Sequence, residues 1–291
     1  MFTKRPHLDD VQFLLGSDLG YPSKKIFSHM EKTNSDFMAW LGGHVTFSSI
    51  SFNSMLSDYS SLRSETTLNN LLMSTPQIAT WGASDFALAE NSSWDIKETV
   101  HSVFKLFWPN SEKKTYNYTF FDYGTYQRYT YNDLDLFLLD SRTFRKEDKS
   151  TLYGDKQIER LFQEIHNTGA TFTVIASPSP FTFDSEDSFL NYKEQFDYFL
   201  YRLDMSDVNG LILISSGGKS GTEMNQYQLP TTSDKQKSIY EFNFSPLSMN
   251  NYSVVNISGK LSDRTLSFET YNENGNLIYR KNLHQNDLNL N

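Results

Sequence analysis

Five short segments put reactive side chains just past runs that read as buried strands: "GSD" (16–18), "LGGHV" (41–45), "WGASDF" (81–86), "DSRTFR" (140–145) and "SSGGKS" (215–220). In α/β sheets, ligands bind beyond the carboxyl ends of strands, so these are the places to look for chemistry. Asp18, His44 and Asp85, with His29 as a further donor, are the carboxylates and imidazoles from which one divalent-ion site could be built, since such cations take oxygen and imidazole ligands. The same residues have a plainer use. A carboxylate at a strand end commonly caps a helix or accepts from a turn, which suits Asp18 ahead of Pro22 and Ser23. Capping is the preferred reading, and His29 reads as a surface or half-buried helix residue.

Lys219 and Ser220 follow a glycine-rich turn whose N–H groups could hold an anion without a metal. The segment ends like a phosphate-binding P-loop but fails on register, because the position five before Gly218 is Leu213 and not glycine. A solvated lysine on a flexible turn is preferred. Arg142 and Arg145 suit either a phosphate or an internal ion pair, the ion pair being favoured, with Asp140 capping the strand end. The six histidines, at 7, 29, 44, 101, 166 and 284, lie outside any nucleophile-elbow setting.

The elements that must position these residues alternate for about two thirds of the chain. "VQFLLGS" reads as a strand, "PSKKIFSHMEK" as a helix with Ile26, Phe27 and Met30 on one face, and "FMAWLGG" as the next strand, a βαβ unit. Helices are expected over 52–63, 67–73 and 96–107, with strand "QIATW" between the second and third. Strand "DLFLLD", helix "DKQIERLFQEIHN", strand "TFTVIAS", helix "FLNYKEQFDYFLYRL" and strand "GLILISS" follow. Four strands, "SIYEFNFS", "YSVVNISG", "RTLSFETY" and "LIYRKNL", close the chain, separated by turn signals. Such a mixture predicts two packed sheets with helices outside. "TYNYTFFDYGTYQRYTY" (115–131) reads as a hairpin across "DYG" with a tyrosine-rich face, which either contacts a protein or glycan or covers the core.

Composition narrows the function classes. A formal charge of −9 gives no basic field for a phosphate backbone, so no nucleic-acid partner is expected. The absence of cysteine excludes disulfides, thiolate nucleophiles and cysteine metal sites. No apolar window approaches eighteen residues, so no membrane-spanning segment is expected, and the N-terminus lacks the apolar region of a signal peptide. Four Asn-x-Ser/Thr triplets, at Asn91, Asn117, Asn251 and Asn256, are ascribed to polar composition.

The ordered series "LLGSDLG", "DFMAWLGGHV", "PQIATWGASDF", "DLFLLDSRTFR", "LYGDKQIERLFQEI", "LILISSGGKSGTEM" and "IYEFNFSPLS" resembles the alkaline phosphatase D (PhoD-like) family of metallophosphatases from about Gln12 to Leu283. The resemblance implies an α/β four-layer αββα sandwich, two mixed sheets flanked by helices, with metals on loops at one edge. It also implies ligands that are missing here. Where the family shows Leu-Gly-Asp, this chain has Leu41, Gly42 and Gly43. Trp-Asp-Asp-His-Asp is replaced by Trp81, Gly82, Ala83, Ser84 and Asp85. Ser-Gly-Asp-Arg-His is replaced by Ser216, Gly217, Gly218, Lys219 and Ser220. Paired metals demand ligand count and geometry together, so loss on three loops removes most of the charge that holds them.

The resulting expectation is a single PhoD-like domain over 1–283 with a disordered tail over 284–291. It is expected to be a catalytically inactive pseudophosphatase without a cofactor, acting as a binding or structural component with a protein partner. The family's usual export implies a periplasmic or cell-surface place in a bacterial envelope complex. The alternative is a metal-dependent phosphomonoesterase or phosphodiesterase, with Ca, Fe, Mn or Zn in a site rebuilt around Asp18, His44 and Asp85.

Overall fold

The computed structural model describes residues 9–20, 22–86, 93–108, 120–217, 221–230, 237–261 and 263–288. The first apolar run forms β1 (Val11–Gly16), the amphipathic α1 (Lys24–Lys32) buries Ile26, Phe27 and Met30, and β2 (Phe37–Leu41) returns parallel to β1. Helices α2 (Phe52–Arg63) and α3 (Thr66–Ser74) start at side-chain caps, Ser51 and Glu65, whose oxygens accept from the N–H groups of Ser54 and Leu68. Strand β3 (Gln77–Thr80) continues the parallel set. After it come α4 (Ala83–Phe86), α5 (Trp94–Phe107), α6 (Phe120–Tyr123), β4 (Gln127–Tyr131) and β5 (Leu134–Leu138). Then α7 (Asp155–His166), β6 (Phe172–Ser177), α8 (Lys193–Asp204) and β7 (Leu211–Ser216) alternate. The chain closes with β8 (Glu223–Gln228), β9 (Ser238–Phe244), β10 (Asn251–Lys260), β11 (Asp263–Asn272) and β12 (Leu277–His284).

Two six-stranded mixed sheets result, ordered β12-β11-β10-β1-β2-β3 and β4-β5-β6-β7-β9-β8. Side-chain alternation sorts each strand between two cores. On β2, Phe37, Ala39 and Leu41 face the second sheet while Met38 and Trp40 face α1, α2, α3 and α5. A third core packs α7 and α8 on the outer face of the second sheet through Ile158, Leu161, Phe199 and Leu203. The architecture is the expected αββα sandwich.

One local expectation is corrected, and two elements are added. The hairpin in the tyrosine-rich segment does not turn at "DYG", where Phe120–Tyr123 is a helical turn. It joins β4 to β5 through Asn132, whose φ of +50° suits asparagine. Tyr129 and Tyr131 pack against the core between the sheets, and residues 115–119 lie outside the described residues. Edge strand β8 was not foreseen, because "EMNQYQ" has no apolar alternation. Within the segment 284–291, residues 284–288 are among the described residues and take regular structure. His284 ends β12, Gln285–Leu288 form a 3-10 turn, and Leu288 is buried between the sheets. No helix among the described residues is long and apolar enough to cross a membrane.

Candidate functional site

The carboxyl ends of the parallel strands of both sheets meet at one edge. The Ser216 hydroxyl, ending β7, donates to the Leu41 carbonyl at 3.2 Å, and Thr80, ending β3, donates to the Leu139 carbonyl at 3.1 Å. This is where the sequence places its candidate residues.

The loops here are packed backbone against backbone. Past β1 and β2, the Asp18 N–H donates to Gly42 O at 2.9 Å and the Leu19 N–H to Gly43 O at 2.7 Å. Gly42 and Gly43 hold φ values of +75° and +73°, open to glycine and costly for other residues. A Cβ on Gly42 would lie 2.3 Å from the Gly82 backbone, and one on Gly43 would lie 2.4 Å from Asp18 Cα. Position 43 is where the resemblance expects an aspartate, and it has no room for a side chain.

Asp85 is fully buried on α4, and its carboxylate binds these loops together. Oδ2 accepts from the N–H groups of Gly43 (2.7 Å) and Gly82 (2.8 Å), and Oδ1 from those of His44 (2.9 Å) and Val45 (3.1 Å). The His44 Nδ1 lies 3.1 Å from Oδ1. An ionised carboxylate only accepts, so Nδ1 carries the hydrogen. Burial pushes the Asp85 carboxyl up, but His44 and these hydrogen bonds outweigh it and hold it below the usual carboxylate value. Its oxygens face five donors, which leaves little lone-pair capacity for a cation.

The other candidates are dispersed. Asp18 is exposed at φ +44°, and its carboxylate accepts from Ser248 Oγ at 3.1 Å. It does not cap α1, whose N-cap is Ser23. His29 is half-buried on α1 beside Gly275, in the turn between β11 and β12. Ala83 and Ser84 begin α4 and supply neither a carboxylate nor an imidazole. Gly218, Lys219 and Ser220 lie outside the described residues. Arg142 and Arg145 both reach Asp187, the internal ion pair favoured from sequence. His44 and Asp85 are brought together by their hydrogen bond while the Asp18 carboxylate turns to Ser248, and among the described residues no three His, Cys, Asp or Glu side chains are grouped to hold a metal ion. The arrangement does not fit a pair of dications.

Two further buried carboxylates work as Asp85 does. Asp140 accepts from the N–H groups of Thr125, Arg142 and Thr143 and from the hydroxyls of Thr125 and Thr143. Glu241, on β9, accepts from the N–H groups of Phe181 and Thr182 and the hydroxyls of Thr182 and Ser215. Burial without a cationic partner raises the Glu241 carboxyl above its usual value despite these four bonds. Its signal in the sequence is an acid two residues after Ile239 on a strand flank that faces a core.

No protein-family model matches the sequence, and no curated protein does. Among solved structures, that of PhoD aligns with a TM-score of 0.75 at 13% identity, over 97% of this chain and 73% of that one. GAP50, described as the anchor in the inner membrane complex of Plasmodium, aligns with a TM-score of 0.55 at 12% identity, over 95% and 89%. At these identities the likeness is one of fold, and the chain has a PhoD-like metallophosphatase fold.

Proposed function

We propose that this chain uses a PhoD-like fold as a binding or structural component and does not hydrolyse phosphoesters. The observation that carries the reading is the closure of the strand-end loops: Gly42, Gly43 and Gly82 touch through their backbones, and the nearby carboxylate of Asp85 is engaged by donors from both loops. A hydrolase of this class needs bridging carboxylates and a metal-bound nucleophile at that place. The structure instead uses its acids to hold main-chain N–H groups.

A protein partner fits this reading, and one neighbour in fold, GAP50, is described as an anchor. Residence in a bacterial envelope complex, without a resident metal, belongs to the same proposal. The test is turnover of a chromogenic phosphodiester and phosphomonoester with Ca, Fe, Mn or Zn added in turn. The proposal expects no turnover above the metal blank. Metal-dependent turnover that disappears in Asp18→Ala or Asp85→Ala, with the fold intact, would overturn it.

A further inference from the structure

Away from the closed edge, on the helix layer of the second sheet, Glu194, Tyr198 and Tyr201 of α8 and Met205, its C-cap, recur at the spacing of a single helix face. Tyr198, Tyr201 and Met205 are 39%, 57% and 68% exposed, so the layer leaves a row of large apolar side chains at the surface. At its Glu194 end this face meets a cleft of about 310 Å³ between the first turns of α7 and α8, lined by Asp155, Glu159, Glu194 and Tyr198. We propose that face and cleft together dock a basic and apolar segment of a partner protein, a surface that rests on the binding role proposed above. Arginine or lysine enters the cleft, and apolar side chains lie over Tyr201 and Met205.

Charge selects the occupant. The basic residues around the cleft are already paired: Arg202 with Glu159, Lys193 with Asp197 and Lys156 with Asp122. Asp155 and Glu194 are both exposed and enter no ion pair among the described residues. A helix N-terminus favours one acid in its first turn, which accounts for each of them singly and not for a cleft with both on its walls. Such walls repel phosphate groups, so neither a nucleic acid nor a lipid headgroup suits them, whereas a guanidinium or ammonium group does. A second copy of the chain is disfavoured by the formal charge of −9 that each copy would bring.

The join between cleft and face is set in advance. The Tyr198 hydroxyl donates to Glu159 at 2.5 Å and accepts from Arg202 Nη1 at 2.6 Å, so its ring is held in place and little rotamer freedom is lost when a partner covers it. Tyrosine adds contact area at low entropy cost, and an exposed apolar row beside charged groups is the pattern of an interaction site. From Glu194 to Met205 the face is about 16 Å long at the α-helical rise. About five residues of an extended segment cover that length.

Fluorescence anisotropy with the full chain tests the surface, the probe being a labelled peptide with an Arg-Arg end and a Leu-Ser-Leu-Ser-Leu stretch. Binding is expected for this peptide, and none for versions with Glu-Glu in place of Arg-Arg or serine in place of leucine. Asp155→Asn with Glu194→Gln should weaken binding about fivefold and flatten its dependence on salt. Tyr201→Ser with Met205→Ser should weaken it about tenfold. All four positions are exposed, so both variants should keep the thermal midpoint of the unaltered chain. Glu31→Gln with Glu98→Gln removes the same charge from exposed positions on α1 and α5 and should leave binding unchanged. No binding, or equal weakening in this control and in the cleft variant, would overturn the surface. So would a dimer in sedimentation that Tyr201→Ser dissolves, because the face would then belong to a second copy. These failures leave the absence of phosphoester turnover untouched, and metal-dependent turnover would strike the binding role itself.

Discussion

Gly43→Ala probes the closed edge with the smallest possible side chain. Two penalties apply. The φ of +73° costs a non-glycine residue about 1–2 kcal/mol. The new Cβ would also stand 2.4 Å from Asp18 Cα, a main-chain atom that cannot swing aside. Overpacking of that kind adds about 1–3 kcal/mol. The expected loss is therefore about 2–5 kcal/mol. Gly217→Ala is the matched control. Gly217 has a φ of +93°, but its Cβ would meet nothing nearer than Pro178 O at 4.0 Å, so only the backbone penalty applies, about 1–2 kcal/mol. Urea unfolding of both variants, with the slope compared to confirm an unchanged transition, measures the difference. If Gly43→Ala costs no more than Gly217→Ala, the loops are not packed as described. Gly43→Asp restores the acid that the resemblance expects, yet it meets the same wall and adds a negative charge beside Asp85, so it should lose stability without gaining metal affinity.

Asp85→Asn should cost about 3–5 kcal/mol, because an amide nitrogen then faces main-chain N–H donors in a buried place. Since the Asp85 carboxyl is held below its usual value, its contribution is present above the unfolded value near 3.9 and is lost as pH falls through the lower folded one. The acid limb of a stability-versus-pH series should be shallower in Asp85→Asn, and an unchanged limb would refute the assignment. Glu241 has the opposite sign. Its carboxyl is raised, so its contribution is present below the unfolded value and declines as pH rises through the folded one. Glu241→Gln should remove that decline in the same series, and persistence of the decline would show that another group causes it.

Long apolar elements were legible from sequence because burial on both faces leaves little choice of residue, as in "TFTVIAS" and "LILISS". Edge strand β8 was not, since half-exposed polar residues carry no period, and neither was the docking of Leu288, which one apolar residue in a polar tail cannot announce. At the site, glycine at positions 43 and 82, where the resemblance implies acids, could be read directly. That the gap is closed could not, because closure depends on the φ of Gly42 and Gly43 and on contacts between loops far apart in the chain. The role of Asp85 followed the same rule. Its identity suggested an ion ligand or an acceptor that keeps the loop in shape, and only the positions of four main-chain N–H groups and one imidazole decide for the acceptor.

Metal stoichiometry tests the central claim most directly. The protein, prepared without chelators and incubated with Ca, Fe, Mn and Zn in turn, is desalted and its bound metal measured by elemental mass spectrometry. A closed edge with an engaged Asp85 predicts substoichiometric metal in every case and a thermal midpoint unaffected by chelator. One or two equivalents of a dication that survive desalting, and are lost in Asp85→Ala or Asp18→Ala, would contradict the account.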